Sequence, residues 1–207
     1  MKEKIFVFGA SGHAKVVIDI IERQGLYEIV FLADDDPGLK GTVVYGYQVI
    51  GGKDDLLTNA IERGIVAIGS NQSRRSVSLW LTDNGFELAS AVHPTAQLAR
   101  GVTIGAGSVI MAGAVINADS RIGDNVIVNT RSSIDHDCVV GNFTHIAPGA
   151  TLCGTVQIGE GSFICAGATV IPNLTIGSFV TVGAGAVVVH NILDGVTVAG
   201  IPARKLK

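Results

Sequence analysis

Aromatic residues are scarce in this sequence, at 5% of 207 positions, and proline is scarcer, at 5 residues. A domain packed around one bulky centre needs rings, so the core here has to be assembled from small aliphatic and β-branched side chains in many repeated layers. No excess of charge exists either. Lys and Arg number 15 against 18 Asp and Glu, for a net charge of −3. That balance argues against nucleic-acid binding as the main business of the chain. Long apolar runs are missing as well. The aliphatic stretches are short and cut by glycine, so neither a transmembrane helix nor a membrane partner is expected. Cysteine occurs three times, at Cys138, Cys153 and Cys165, without a CxxC pair. The opening MKEKIFVFGASG enters a strand-and-turn pattern directly and shows no signal-peptide cleavage region. Reduced thiols and a cytoplasmic location are therefore the expectation.

What is abundant is glycine, at 27 residues, within a 47% hydrophobic composition. Charge divides the chain. Residues 1–90 carry 9 basic and 12 acidic groups, whereas residues 91–207 carry 6 and 6. A charged fraction that falls from about a quarter to about a tenth marks a change of architecture near residue 90. The expected domains are therefore 1–90 and 91–207.

The first part alternates strands and helices. Ile5–Phe8 reads as a strand, Gly9–Gly12 as a tight turn, and Ala14–Arg23 as a helix. Ile29–Leu32 is a second strand ending before Asp34-Asp35-Asp36-Pro37. A helix over Asp54–Arg63 with Gly64 after its end, a strand over Ile65–Ile68 and a helix over Ser73–Asn84 follow. This order implies a small parallel sheet built by crossovers, an α/β Rossmann-like βαβ domain.

The second part repeats every six residues. From Val92 to Val188, all 17 positions spaced by six are Val, Ile or Leu. Gly105, Gly123, Gly141, Gly159 and Gly177 recur at intervals of 18. Most positions four after the aliphatic one are small, among them Ser108, Ala114, Ser120, Ser132, Ala150, Ser162 and Ala168. Six residues per strand and turn, and three strands per coil, make a triangular prism. Its inward aliphatic residues stack one coil apart, at the ~4.8 Å spacing of neighbouring strands. A helix fails because six does not fit a 3.6-residue period.

Flat prism faces offer no pocket, so a small-molecule site has to lie between prisms or against the first part. Closed three-fold assembly suits a three-sided body. Most turns are bland, but Asp135, His136 and Asp137 form a cluster two residues beyond the inward Ile134. Flanking carboxylates can orient an imidazole and strengthen it as a base; a solvated turn histidine is the plainer alternative. His145 follows nine residues later, half a coil around, so the two histidines cannot share one face of one chain. Gly154 stacks one coil above His136, where a ligand can approach its backbone and its N–H can hold an oxyanion; a turn glycine is the plainer reading. In the first part, Gly9 to His13 follow a strand and open a helix, as phosphate binding requires, although GxGxxG is absent. Asp34 and Asp35 end the second strand, where acids take ribose or base hydrogen bonds. The tail GIPARKLK carries Arg204, Lys205 and Lys207, a basic stretch able to meet phosphates.

The uninterrupted hexapeptides resemble the left-handed parallel β-helix acyltransferases. The segments GASGHAKVV, FLADDDP, AIGSN at 67–71 and NTRSSIDHDCVVGNFTHIAPG at 129–149 together resemble the NeuD/PglD-like sugar acyltransferases. The handedness comes from this resemblance. So does the expected activity: acetyl transfer from acetyl-CoA, without a metal, to a nucleotide-linked (UDP-type) amino sugar for a bacterial surface glycan or glycoprotein. The resemblance implies a homotrimer with active sites at the subunit interfaces, His136 as general base and Asp137 as its partner. It places Gly154 at the oxyanion, and His145 from the neighbouring subunit, Ala166 and Ala184 along acetyl-CoA. Asn129 opens the same motif as a substrate-binding candidate. Ser11, Gly12, His13, Asp34 or Asp35, and Gly69 are placed around the nucleotide-linked sugar. Rival readings are a sialic-acid-type sugar O-acetyltransferase, a γ-type carbonic anhydrase, which needs three histidine ligands, and a non-catalytic nucleotide-sugar-binding trimer.

Overall fold

A computed structural model describes residues 2–206. Contacts divide the chain into two compact units, Met1–Pro94 and Thr95–Lys207. No helix among the described residues is long and apolar enough to cross a membrane.

In the first unit, four parallel strands stand in the order Tyr27–Ala33, Glu3–Phe8, Arg63–Val66, Glu87–Leu88. The chain moves from the first strand to one edge, then returns past it to the other side. Glu3–Phe8 and Arg63–Val66 are thus neighbours from which connections depart in opposite directions, a topological switch point. Alternation along the first strand sends Phe6 and Phe8 to one face, where Leu56, Val77 and Leu81 join them. The helix Gly12–Gln24 buries Ala14, Val17, Ile18, Ile20 and Ile21.

Two expectations for this unit fail. The second helix spans only Lys53–Leu57. Thr58 Oγ1 and Asn59 Nδ2 both donate to the Asp55 carbonyl, at 2.8 and 3.4 Å. They occupy the acceptor that a continuing helix would offer to Asn59 N–H, which bonds to Leu56 O instead. Gly64 is not a helix cap but lies inside the strand Arg63–Val66. A Cβ there would sit 2.3 Å from the Phe6 ring. That ring is fixed by stacking on Phe31 at 6.0 Å and by an edge contact with Phe86 at 5.5 Å.

The second unit is a parallel β-helix. Two-residue strands pair with strands 18 residues on, as in Ile127–Val128 with His145–Ile146 and then Phe163–Ile164. Three such ladders form the three walls. Inward residues at every sixth position from Ile110 to Val188 are at most 3% exposed. Leu98, expected inward, is 42% exposed; it belongs to the first coil, which has no coil of its own kind beneath it.

Every sixth residue from Gly101 to Gly185 has φ between 54° and 78°. The corner therefore imposes a left-handed residue on each hexapeptide, including Phe143, Thr155 and Phe179, for which it is costly. The 18-spaced glycines have a different cause. A Cβ on Gly141 or Gly159 would approach backbone nitrogen of the next coil to 2.7 or 2.5 Å. The small inward residues are more than small: Ser120 Oγ donates to Asp135 O at 2.6 Å and accepts Cys138 N–H at 3.1 Å, and Ser108 and Ser162 clip successive coils alike.

Gly64→Ala should destabilise the protein by about 1–3 kcal/mol, because ring and new methyl cannot share the space. Urea unfolding measures this; an unchanged midpoint would contradict the packing described.

Candidate active site

The second unit has six carboxylates, at Asp119, Asp124, Asp135, Asp137, Glu160 and Asp194, and two of them flank His136. These three residues turn the corner after the strand Ser133–Ile134. Asp137 takes the left-handed position with φ 59°. Its Oδ2 lies 2.7 Å from His136 Nδ1. An ionised carboxylate only accepts, so Nδ1 carries the proton and Nε2 is the basic nitrogen of the neutral ring. Asp135 faces the other way. Its Oδ1 accepts His136 N–H at 2.9 Å and Asn117 Nδ2 at 2.9 Å from the preceding coil. The Asp137 hydrogen bond, and next the charge of Asp135, raise the His136 pKa above its ordinary value. The Asn117 hydrogen bond, then the His136 amide, hold Asp135 below the usual carboxylate range.

The imidazole side chain is 55% exposed, yet one neighbour shapes its place. A Cβ on Gly154 would stand 2.7 Å from both Cε1 and Nε2 of the ring. Gly154 is not among the left-handed residues, so the missing side chain makes room for the imidazole rather than for a turn.

Asn129 and His145 meet on another ladder. Asn129 Oδ1 accepts Thr130 N–H at 2.7 Å, which turns Nδ2 toward His145 Nε2 at 3.0 Å. The amide donates, so Nε2 of His145 accepts and its neutral ring is protonated on Nδ1. His145 is 8% exposed, and its ring stacks on Phe163 at 4.9 Å. Ala166 and Ala184 are exposed and follow the strands Phe163–Ile164 and Thr181–Val182 of the His145 ladder. The His136 group follows a strand of a different ladder. One chain thus assembles His136, Asp137 and Gly154 at one corner and Asn129, His145, Ala166 and Ala184 at another.

The first unit gathers most of its candidates at the strand ends of the switch point. Gly9 approaches the next strand so closely that a Cβ would lie 2.7 Å from Ala67 O. Ser11 is the N-cap of the helix Gly12–Gln24, makes no side-chain cap bond, and is followed by a first turn without an acid. Gly69 lies beside the His13 ring, with a Cβ distance of 3.9 Å. The two aspartates divide. Asp34 Oδ2 accepts Ala10 N–H at 2.8 Å and so braces the turn. Asp35 pairs with Lys53 Nζ at 3.1 Å, beside Trp80.

Sequence reasoning missed Arg74, which looks like any charged residue on a helix. It is 1% exposed, and its guanidinium donates to Ile68 O, Gly69 O and Asn71 Oδ1 at 3.2, 3.2 and 2.8 Å. Burial brings its pKa down to about 10. Burial, and next the Arg74 charge, bring that of His13 to about 4, so the His13 ring is neutral across physiological pH. Also missed was Asn117, for which a signal existed: it stands 18 residues before Asp135.

Flatness also fails at one end of the prism. Arg204–Lys205 folds back antiparallel on Thr197–Ala199, and a cavity of about 360 Å³ opens between the last coil and this tail. Val188, Ile192, Val196 and Val198 supply its apolar wall, and His190, Arg204 and Lys205 its polar rim. Among the described residues no group of His, Cys, Asp or Glu could hold a metal ion.

Hexapeptide coils with a carboxylate-braced histidine at a corner define the class: a hexapeptide-repeat acyltransferase. Residues 119–154 and 155–190 each match the family described as bacterial transferase hexapeptide (six repeats), and residues 4–81 match the PglD N-terminal domain. The chain belongs to the NeuD/PglD-like family of sugar acyltransferases. It is 32% identical over 159 residues to GDP-perosamine N-acetyltransferase from Escherichia coli O157:H7, covering 73% of this chain and 71% of that protein. It is similar to the crystal structure of PerB from Caulobacter crescentus in complex with CoA and GDP-perosamine, with 40% identity, TM-score 0.93, and 99% and 97% of the two chains covered. It is also similar to the acetyltransferase domain of PglB from Neisseria gonorrhoeae FA1090 in complex with acetyl coenzyme A, with 44% identity, TM-score 0.92, and 100% of both chains covered.

In Asp137→Asn the carboxylate charge beside Nδ1 is gone, so the His136 imidazole should titrate at lower pH than in the native protein. NMR titration of the ring measures this; an unmoved midpoint would show that Asp137 does not support the imidazole.

Proposed function

We propose that the protein transfers the acetyl group of acetyl-CoA to the amine of a nucleotide-linked amino sugar, with His136 as general base. The observation that carries this reading is the 2.7 Å contact between His136 Nδ1 and Asp137, which leaves Nε2 as the basic nitrogen beside the backbone of Gly154. The end-to-end likeness to structures holding CoA with GDP-perosamine, or acetyl coenzyme A, supports the choice of substrates.

The chemistry follows from the atoms. The sugar amine attacks the thioester carbonyl, and a C–N bond forms. Nε2 takes the proton that the nitrogen sheds, and Asp137 offsets the charge of the imidazolium. The oxyanion is held by backbone N–H, for which Gly154 is the candidate. The C–S bond breaks, and the proton returns to the leaving thiolate. Both substrates are held together, so no acyl-enzyme is needed. His145, Ala166 and Ala184 line the acetyl-CoA side, and Asn129, the substrate-binding candidate, meets them there through its hydrogen bond to His145. Ser11, Gly12, His13 and Gly69 take the nucleotide diphosphate at the switch point, where ligands of open α/β sheets bind. Asp34 shapes that turn, and Asp35 stands where a ribose or base would be read. The reaction would take place in the cytoplasm.

Two corners of the prism hold the two halves of this site, so a complete site takes its halves from two chains of a homotrimer. Light scattering should give three copies per particle. His136→Ala and His145→Ala proteins, each inactive alone, should regain activity when mixed and reassembled, because some interfaces then pair intact halves. A fully active monomer would overturn the assembly.

His136→Ala should lower kcat at least about hundredfold while leaving acetyl-CoA affinity within about threefold, under ~1 kcal/mol. Stopped thioester assays and calorimetry separate the two; retained turnover would remove His136 as base. Since the base must be neutral and its pKa is raised, kcat should climb with pH through a midpoint above that of a free imidazole. GDP- and UDP-linked amino sugars should be compared by thermal stabilisation and turnover, since a bound substrate raises Tm by mass action.

A further inference from the structure

The coil beneath His136 carries a residue to which nothing above gives a role in the reaction. Asn117 follows the inward Ile116 and stands 18 residues before Asp135. Its Nδ2 donates to Asp135 Oδ1 at 2.9 Å, the same oxygen that accepts His136 N–H at 2.9 Å. At most corners the residue after the inward one makes no such bond to its successor; Asn129 to Thr130 N–H and Asp135 to His136 N–H are the two described cases. Both belong to candidate site residues. The corner at His136 is therefore tied twice, by Asp137 through the ring and by Asp135 through the main chain.

An aspartate in a solvent-facing corner has several accessible rotamers, and in most of them its oxygen leaves the His136 amide. Asn117 selects one. It reaches across from a neighbouring coil, whose position the ladder fixes through Val115↔Ser133 and Ile116↔Ile134. We infer that Asn117 is a positioning residue of the acetyl transfer, acting only through Asp135 to fix the corner that presents the His136 imidazole to the amine. This rests on the reading of His136 as the base.

The charged and titratable groups around the imidazole are few. Asp135 and Asp137 flank it in its own coil. Above, it meets Gly154 and Thr155, which carry no charge. Below, Asp119 bends away toward Gly101, where a Cβ would fall against its Oδ1. Cys138 points inward and burial pushes its thiol pKa up, so it stays uncharged. Among the described residues, displacing Asp135 thus removes one of the two charges that favour the imidazolium.

The test is a double-mutant cycle on the intact protein. Asn117→Ala should lower kcat about threefold to tenfold, leave the KM for acetyl-CoA within about twofold, and move the pH midpoint of kcat downward. Asp135→Ala should do the same at least as strongly. The pair Asn117→Ala with Asp135→Ala should be no worse than Asp135→Ala alone. Asn117→Gln, which keeps the donor, should recover part of kcat, and Asn117→Asp, which replaces the donor by a second carboxylate, should not. NMR titration of the His136 ring in Asn117→Ala supplies a readout independent of turnover, with a lowered midpoint expected. Additive losses in the pair, or an Asn117→Ala protein with native kcat and native ring titration, would overturn the inference. Failure of the base assignment shows separately, as a His136→Ala protein that still turns over.

Discussion

Backbone pairing of residues 18 apart, through the hydrogen bonds their neighbours make from coil to coil, is the constraint from which the rest of this molecule follows. It sets one coil upon the next at a fixed height and gives each side chain a vertical column of neighbours. Glycines at 141 and 159 exist because the coils come too close for a Cβ there. Serines at 108, 120 and 162 are buried because each hydroxyl can bridge a carbonyl and an amide from successive turns. The site obeys the same geometry. Gly154 stands over His136, Asn117 under Asp135, and Phe163 beside His145, all at intervals of one coil.

The prism was legible in the sequence because its energy is periodic. Burying an aliphatic residue contributes on the order of 1.5–3 kcal/mol, and repeating that at a fixed interval writes the fold in one letter class. The first unit was legible in the order of its first three sheet strands and its helices, but not in its fourth strand, Glu87–Leu88, its small hairpin of Val43–Val44 with Tyr47–Gln48, or its boundaries. The helix expected over 54–63 stops at Leu57 through two side chains that claim one carbonyl. Gly64 reads as a stop signal until the Phe6 ring lying against it is known. Such contacts join residues far apart in the chain, and local pattern does not contain them.

At the candidate site, contacts that lie within one corner were readable and contacts that cross coils were only half so. His136 with its two acids is a local triplet. Pairing Asn129 with His145 needs the column geometry, which also orients the amide and selects the tautomer. Arg74 was invisible because a charged residue on a helix ordinarily points to water; here the strand ends enclose it, and its field helps keep His13 neutral.

The left-handed corner at every sixth residue from Gly101 to Gly185 has an evolutionary corollary. A chain wound this way can grow or shrink only in whole hexapeptides. Losing a single residue would slide each later side chain off its column, exposing aliphatics on the walls. Losing six between His136 and Gly154 would leave the core intact but carry everything downstream round to the next wall, parting Gly154 from His136. Length in this column is therefore quantised, and a descendant that changes height without changing chemistry has to do so in steps of three hexapeptides.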